Sequence, residues 1–279
     1  MPIVSFWNPT GAGQTGTTAT MVSLANAIAI THPRYKILLT QTHFKNNKLE
    51  SAYFNMDKMR SKGNLDDITD IGIDALERLL RSNKINSDSI RTYSKPKGDQ
   101  IEVLYGSFKS DKDSFNRVLE TVPFMLEYAV QSYDVVFVDL TSGTDVKEVN
   151  DILQKSDVIV VTLNQDKEIL NKMLEAFSSQ KILQEKPVLP IFSRYDQFLT
   201  YNARNILRAY AFKFDKREVY TIPYNSQYFD AINDGRAFNF FVEHMNADMA
   251  TTREGWFISE CVRASDRLLK MLGSKVSDK

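Results

Sequence analysis

The chain has 279 residues, 43% of them hydrophobic, and its 35 basic and 35 acidic residues give a formal net charge of zero. This length and composition suffice for one large α/β domain or two small ones, and we expect a single domain over residues 1–279. The neutral charge argues against a protein whose whole surface binds nucleic acid. The single cysteine, Cys261, excludes a disulfide framework and a cysteine-rich metal site within one chain.

Targeting and metal-binding signals are equally sparse. The three histidines are scattered and show no metal-ligand spacing. We find neither a signal-peptide pattern nor an apolar run of about 18 residues, the length that a membrane span requires. The sequence therefore predicts a soluble, cytoplasmic protein.

Apolar runs alternate with helical patterns along the chain. The predicted strands cover residues 3–7, 36–40, 101–105, 134–139, 157–163, 188–192 and 219–222. The predicted helices cover residues 18–29, 73–80, 115–129, 146–154, 167–183, 202–214 and 253–272. Several strands are apolar almost throughout, which is typical of strands covered on both faces of a parallel sheet. The alternation predicts an α/β fold with a doubly wound, mostly parallel sheet and helices on both faces.

A glycine-rich loop, GAGQTGTT at residues 11–18, joins the first strand to the first helix. The spacing from Gly11 to Gly16 and the following Thr18 match the phosphate-binding P-loop pattern G-x-x-x-x-G-K-[ST], but Thr17 stands in place of the lysine. Backbone N–H groups and the helix N-terminus can still hold a phosphate, and Thr18 can offer a hydroxyl to Mg²⁺. What is lost is a cation that stabilises charge in phosphoryl transfer. The alternative is a glycine turn that binds nothing.

A second motif is the hydrophobic strand that ends in Asp139, followed by a short loop to Gly143. Ligands of nucleotide-binding α/β folds sit outside the carboxyl ends of the strands. An aspartate there can hold Mg²⁺ or its water, and a glycine can approach a γ-phosphate through its N–H group. The alternative is an aspartate that only caps the junction between strand and loop.

The remaining segments are less informative. Residues 46–70 are polar and predict an irregular surface excursion, and residues 273–279 predict a frayed terminus. Pro223 and Gly235 punctuate a loop and a helix end, and the loop after the last strand can also wall an adenine ring. The apolar face of the last helix fits either packing on the sheet or a membrane anchor. Its mixed charges favour packing.

These stretches together resemble the ParA/MinD group of P-loop ATPases, over nearly the whole chain and in the same order. That group has a deviant Walker A loop, K-G-G-x-G-K-[ST]-T, whose first lysine reaches the partner subunit's nucleotide. Residues 12–19 align with this loop without a gap. The retained residues are Gly13, Gly16 and Thr18. The replacements are Ala12 for the signature lysine, Gln14 for the second glycine and Thr17 for the loop lysine.

The resemblance extends beyond the loop. The two aspartates that the group carries on its second strand align with Thr40 and Thr42, and the later one positions the attacking water in the group. Asp139 and Gly143 match its switch II pattern. Residues 193–195 look like its N-R-[YV] element, with serine for the base-contacting asparagine. Residues 222–225 and 231–235 look like its I-P-x-[DN] and A-x-x-x-G elements.

The departures imply a site that keeps binding and has lost most catalysis, because two lysines and the water-positioning carboxylate are replaced together. The resemblance implies ATP or ADP with Mg²⁺ as ligands and a homodimer formed across the P-loop face. Within the group, the chain is most similar to the CpaE/TadZ branch of pilus-assembly proteins, some of which also carry G-T-[ST]. It then implies a localisation factor for a pilus or secretion machine, at the cell pole or near the membrane. Membrane association would be indirect, and DNA is not an expected partner.

Two other functions stay open. One is a partition-type ATPase that positions DNA or plasmid cargo, and the other is a nucleotide-free scaffold. An iron–sulfur reductase of the same superfamily is rejected. It would need bridging cysteines, and Cys261 lies in the terminal helix, far from switch II. The predicted nucleotide-binding residues are Gly11, Ala12, Gly13, Gln14, Thr15, Gly16, Thr17, Thr18, Gly143, Arg194, Pro223 and Tyr224. The predicted metal ligands are Thr18 and Asp139, and no catalytic residue is assigned.

Overall fold

A computed structural model describes residues 2–11, 15–46, 48–56, 71–143, 146–210 and 220–273. Its strands are β1 (Ile3–Trp7), β2 (Ile37–Gln41), β3 (Lys95–Lys97), β4 (Ile101–Val103), β5 (Val135–Asp139), β6 (Val158–Leu163), β7 (Val188–Tyr195) and β8 (Tyr220–Pro223). Its helices begin with α1 (Thr17–Thr31), α2 (Lys48–Tyr53), α3 (Gly72–Arg81), α4 (Ser87–Thr92), α5 (Lys112–Leu119), α6 (Val122–Ala129) and α7 (Lys147–Lys155). They continue with α8 (Lys167–Ser179), α9 (Lys181–Glu185), α10 (Ala203–Tyr210), α11 (Ser226–Asn233), α12 (Ala237–His244) and α13 (Arg253–Met271).

The eight strands form one sheet in the order β3-β4-β2-β5-β1-β6-β7-β8. All neighbours are parallel except β3 and β4, which are antiparallel. In the registers of the central strands, Asp139 lies opposite Phe6 of β1 and Gln41 of β2. The carboxyl ends of β1, β2 and β5 therefore meet at one edge of the sheet. This architecture confirms the predicted fold class.

Helices cover both faces of the sheet, because successive side chains of a strand point to opposite faces. In β1, Val4 and Phe6 pack into the layer formed by α1, α2, α11, α12 and α13. Ile3 and Trp7 pack into the opposite layer, which contains α3 to α10. All four side chains are buried. The two apolar layers explain why the central strands are apolar almost throughout.

Helix α1 is buried on nearly all sides, including polar positions that a surface helix would expose. The Ser23 hydroxyl donates to the Tyr228 hydroxyl at 3.1 Å, and the Tyr53 hydroxyl donates to Asn26 Oδ1 at 3.1 Å. Buried polar groups need such partners to offset their lost hydration. These bonds tie α1 to α11 and α2, so the helix that follows the glycine loop is held firmly.

The boundaries differ from the sequence prediction in several places. The predicted helix 115–129 is two helices, α5 and α6, and Pro123 lies in the first turn of the second. The predicted helix 167–183 divides at Gln180. The predicted surface excursion 46–70 is wrong for Lys48–Tyr53, a helix that buries Glu50 and Tyr53; Asn47 and residues 57–70 lie outside the described residues. Strand β3 and helices α4, α11 and α12 were not predicted.

The last helix, α13, packs as part of the core. Phe257, Cys261 and Leu268 are buried, and the helix lies against α1 and β8. The packing expected for this helix is therefore observed. Within the described residues, the structure contains no helix long and apolar enough to span a membrane.

We expect Phe257→Ala to lower the free energy of unfolding by about 3–5 kcal/mol, the usual cost of removing a buried ring. Phe257 is 1% exposed and contacts the rings of Tyr228, Phe240 and Phe241. Phe198→Ala is the matched control, because Phe198 is 88% exposed and its removal should change stability by less than about 0.5 kcal/mol. Urea unfolding followed by circular dichroism measures both. Equal effects of the two substitutions would contradict this view of α13.

Candidate functional site

A cleft of about 870 Å³ opens at the edge of the sheet where the central strands end, between α1, α2 and α11. This volume falls in the range of small-molecule and cofactor pockets. Its walls combine hydroxyl, apolar and basic side chains. The lining residues that carry the argument below are Thr17, Thr18, His43, Lys48, Arg194 and Phe229.

The glycine loop reaches the cleft at the start of α1. Gly11 and Gly16 line it, and both have positive φ, +65° and +78°. A Cβ atom on Gly16 would collide with the Ser193 hydroxyl, so only glycine fits there. The predicted ligand residues Ala12, Gly13 and Gln14 lie outside the described residues. The described part of the loop therefore presents the first turn of α1 to the cleft, the arrangement that holds anions in P-loops.

Thr17, at the position of the P-loop lysine, directs its hydroxyl toward the protein. Its Oγ1 atom lies 2.7 Å from Thr162 Oγ1 and 3.2 Å from Thr15 Oγ1, and the last two atoms are also 3.2 Å apart. Thr15, a predicted ligand residue, also lines the cleft and is buried. The three hydroxyls satisfy one another between α1 and β6. The side chain of Thr17 thus closes a neutral polar cluster and adds no charge to the cleft.

Asp139 is fully buried at the end of β5, directly behind the first turn of α1. The Thr18 hydroxyl donates to its Oδ2 atom at 2.5 Å. Its Oδ1 atom is buried and has no hydrogen-bond partner within the described part of the chain. An unpartnered carboxylate oxygen beside a hydroxyl fits Mg²⁺, which prefers oxygen ligands and takes only one or two carboxylates beside a substrate phosphate. The structure thus brings together the two predicted metal ligands.

His43 is the third group at this point. Its Nε2 atom lies 3.1 Å from Asp139 Oδ2, an ion-pair distance when the ring is protonated. Burial lowers the pKa of His43, but the charge and hydrogen bonding of Asp139 raise it, and so does the charge of Glu50. The charge of Lys48 opposes them slightly, and the net pKa is above the ordinary 6.5. The sequence motifs did not identify His43, although it follows Thr42 directly.

Thr42, aligned with the water-positioning aspartate of the resembled group, is committed to backbone contacts. Its hydroxyl accepts from the Thr141 N–H at 3.0 Å, and its carbonyl accepts from the Thr141 hydroxyl at 2.7 Å. Thr40 is also buried, and its hydroxyl has no hydrogen-bond partner among the residues that the structure describes. Neither threonine lines the cleft. Thr42 thus joins the loop after β2 to the loop after β5, and neither position offers a carboxylate to a water molecule.

Gly143 lies beside the glycine loop but does not present its N–H group to the cleft. The N–H donates to the Asn8 carbonyl at 2.9 Å, and the Gly143 carbonyl accepts from the Trp7 indole at 3.1 Å. Its φ is +95°, and an added Cβ atom would lie 3.7 Å from the Cα of Gly11. In this structure the predicted phosphate donor is therefore occupied, while Thr141 and Ser142 before it line the cleft.

Arg194 enters the cleft from the end of β7. It has a φ of +52°, a left-handed conformation that is strained for a residue with a side chain. Its guanidinium lies 5.3 Å from the centre of the Phe229 ring, which is a cation–π distance. The Tyr224 ring stacks on the same Phe229 ring, with 5.2 Å between the two ring centres. Neither Tyr224 nor the buried Pro223 is among the residues that line the cleft, and their contact with a base remains a prediction.

Helix α2 forms the wall that sequence reasoning missed. Lys48, Ser51 and Ala52 line the cleft, while Glu50 points into the protein. The Glu50 carboxylate accepts hydrogen bonds from Gln41 Nε2 and, at 2.7 Å, from the Gly106 N–H. Burial raises the pKa of Glu50, and these hydrogen bonds act against that rise. Because this segment is polar, the sequence analysis did not predict a helix here. The buried Glu50 carboxylate bonds that helix to Gln41 of β2 and to Gly106.

The charged side chains that line the cleft are all basic among the described residues. Among the described lining residues, the charged or titratable side chains are His43, Lys48 and Arg194, and none is a carboxylate. Asp139 lies behind the wall in contact with Thr18 and His43. A basic, hydroxyl-rich cleft at a helix N-terminus is suited to an anionic ligand that carries phosphate.

No protein-family model matches this sequence, and neither does any curated protein sequence. Solved structures do match. A ParA family ATPase from Chlorobium tepidum TLS has a TM-score of 0.68 and 12% identity, over 96% of this chain and 98% of that chain. MinD from Pyrococcus horikoshii OT3, complexed with Mg-ADP, has a TM-score of 0.68 and 14% identity, over 99% of both chains.

A third similar structure comes from Borrelia burgdorferi B31 and is described as a plasmid partition protein bound to AMPPNP. It has a TM-score of 0.61 and 15% identity, over 96% of this chain and 99% of that chain. At such identities the likeness concerns the fold, and it extends over nearly the full length of each chain. The chain therefore has the fold of the ParA/MinD P-loop ATPases.

Proposed function

We propose that the protein is a spatial organiser of the ParA/MinD type that binds an adenine nucleotide with Mg²⁺ and hydrolyses ATP slowly or not at all. The observation that carries this proposal is the cleft at the N-terminus of α1. It has the volume of a nucleotide pocket and, within the described residues, is lined by basic side chains and no carboxylate. Its phosphate end is Gly16 with the first turn of α1, and its metal end is Thr18 with Asp139.

The chemistry of the two ends favours binding over turnover. When bound, Mg²⁺ neutralises charge on the β- and γ-phosphates. Thr18 and Asp139 would hold it through their side-chain oxygen atoms. For hydrolysis the site would also need a cation that follows the transferred phosphoryl group and a group that orients water. Thr17 offers a neutral hydroxyl already bonded to Thr162, and the Thr42 hydroxyl is bonded to Thr141.

The biological role we propose follows the resemblance to the CpaE/TadZ branch. The protein would mark a site at the cell pole or near the membrane and recruit components of a pilus or secretion machine. Its membrane association would be indirect. The neutral net charge and the replaced lysines make DNA cargo a weaker proposal.

The first test is nucleotide binding. We expect titration calorimetry to detect ATP and ADP at submillimolar dissociation constants, with tighter binding in Mg²⁺ than in a chelator. Asp139→Asn should remove most of the Mg²⁺-dependent gain, because it removes the buried charge beside Thr18. Asp134→Asn should keep it, since Asp134 lies just before β5, at the opposite end of that strand from Asp139, and its carboxylate accepts from the Lys36 N–H. Absence of binding at millimolar nucleotide would favour the nucleotide-free scaffold instead.

The second test is hydrolysis. Phosphate release by the wild-type protein should be close to background, since each missing electrostatic contact costs on the order of 100-fold or more in rate. Introducing lysine at positions 12 and 17 together should not restore full turnover while Thr42 lacks a carboxylate. Robust wild-type turnover that Thr18→Ala abolishes would show that another residue supplies the catalytic charge.

The third test is association of two copies across the cleft face. The ends of β7 and β8 carry exposed aromatic residues there, with Phe198 88% and Tyr224 58% exposed. We expect light scattering to show a larger dimer fraction with ATP and Mg²⁺ than without, and Phe198→Ser to reduce it. Phe124→Ser is the control, since Phe124 is also an exposed ring, at 55%, but lies on α6 beside α7. A strict monomer under all conditions would refute the dimer.

A further inference from the structure

The glycine loop lacks its cation, yet the cleft does not lack positive charge. Arg194 lies over the Phe229 ring at the end of β7, and His43 is paired with Asp139. Lys48 remains as a flexible cation on the wall opposite α1. No carboxylate of the described residues lies within ion-pair distance of its ammonium group, although the side chain is exposed and lines the cleft.

The backbone that carries Lys48 is held firmly. Lys48 is the first residue of α2, and the Leu49, Glu50 and Tyr53 side chains of that helix are buried. Glu50 is bonded to Gln41 of β2 and to the Gly106 N–H, which fixes the helix against the sheet. Burying a carboxylate is costly unless such partners compensate it, so this contact has a specific structural use. Its effect is to hold the start of α2 beside the cleft.

Lys48 also stands on the correct side of the cleft for the terminal phosphates. Lys48, Thr18 and His43 line the same cleft, the charge of Lys48 lowers the pKa of His43, and His43 contacts Asp139. Thr18, in the first turn of α1, donates to the same carboxylate. A phosphate bound at the first turn of α1 with its metal at Asp139 would therefore lie between α1 and α2.

We propose that Lys48 supplies the cation for the terminal phosphates of the bound nucleotide, from the opposite wall of the cleft, in place of the lysine missing at position 17. An ammonium group binds phosphate as a point charge on a flexible stem, so it does not require the geometry of the loop lysine. The inference rests on the proposed nucleotide binding. It implies that Lys48 raises the affinity for ATP more than the affinity for ADP or AMP.

The test compares Lys48→Gln with wild type for ATP, ADP and AMP, each in excess Mg²⁺, by titration calorimetry. A charge-assisted contact is worth roughly 10- to 100-fold in affinity. We expect a loss of that order for ATP, a smaller loss for ADP and less than about 2-fold for AMP. Lys48→Arg should recover most of the ATP affinity.

Lys45→Gln is the matched control. Lys45 lies three residues earlier, is exposed and places its ammonium 5.1 Å from the centre of the Phe44 ring, and it is not among the residues lining the cleft. It should leave all three affinities within about 2-fold. Unchanged melting temperatures would show that each variant is folded.

The outcomes separate the two proposals. Wild-type binding with equal losses for all three nucleotides, or with no loss in Lys48→Gln, would overturn the role of Lys48 and leave the nucleotide site standing. An effect of Lys45→Gln as large as that of Lys48→Gln would also overturn it, because a general loss of surface charge would then explain both. Failure of the wild type to bind any of the three would overturn both proposals.

Discussion

The contact between Asp139 and Thr18 is the point on which the site depends. A carboxylate with no exposed surface is tolerated only with polar partners, and the Thr18 hydroxyl and the His43 ring provide them. The contact joins the end of the central strand β5 to the first turn of α1 and to the loop after β2. Three segments distant in sequence are thereby fixed around one oxygen atom. The contact thus holds the two candidate metal ligands together and keeps His43 beside them.

The replaced residues of the motif are accommodated rather than left as defects. At position 17 a hydroxyl closes a cluster with Thr15 and Thr162. At position 42 a hydroxyl bridges to the loop after β5 through Thr141. Each exchanges a charged group for a small one that hydrogen-bonds inside the protein, which avoids an unpaired buried charge. The fold therefore accommodates neutral hydroxyl side chains at positions 17 and 42.

The sequence predicted the elements whose periodicity is strong and local. Strand β1 was predicted with its observed limits, and α1 within two residues at its end, because an apolar run and a glycine loop bound them. Strand β3 escaped, since it has three residues with Pro96 in the middle and forms only an edge pairing. Helix α2 escaped for a different reason. It has only six residues, and one of its buried positions is the carboxylate of Glu50, whose partners Gln41 and Gly106 belong to other segments.

The residues of the site likewise fall into those that the sequence predicted and those that it did not. Motif spacing located Gly16, Thr18 and Asp139, because these residues follow directly from strand ends and the helix start. It could not find His43 or Lys48, whose place beside the cleft depends on how the segment after β2 folds back. It also could not foresee that Asn8 occupies the Gly143 N–H group. Contacts between distant segments carry no periodic signal, so they emerge only from the packed structure.

The charges of the cleft are better suited to binding phosphate than to accelerating its transfer. A charge that contacts phosphate equally before and during bond cleavage tightens binding without accelerating the reaction. Lys48, at the end of a flexible stem on an exposed helix position, fits that description better than a lysine fixed within the loop. Acceleration needs contacts that strengthen as the phosphoryl group moves and a water held in line. The described residues of the cleft offer charges that can bind phosphate, but the Thr42 hydroxyl is bonded to Thr141 and holds no water in line. This is the physical basis for proposing a protein that keeps its nucleotide bound as a signal and does not consume it.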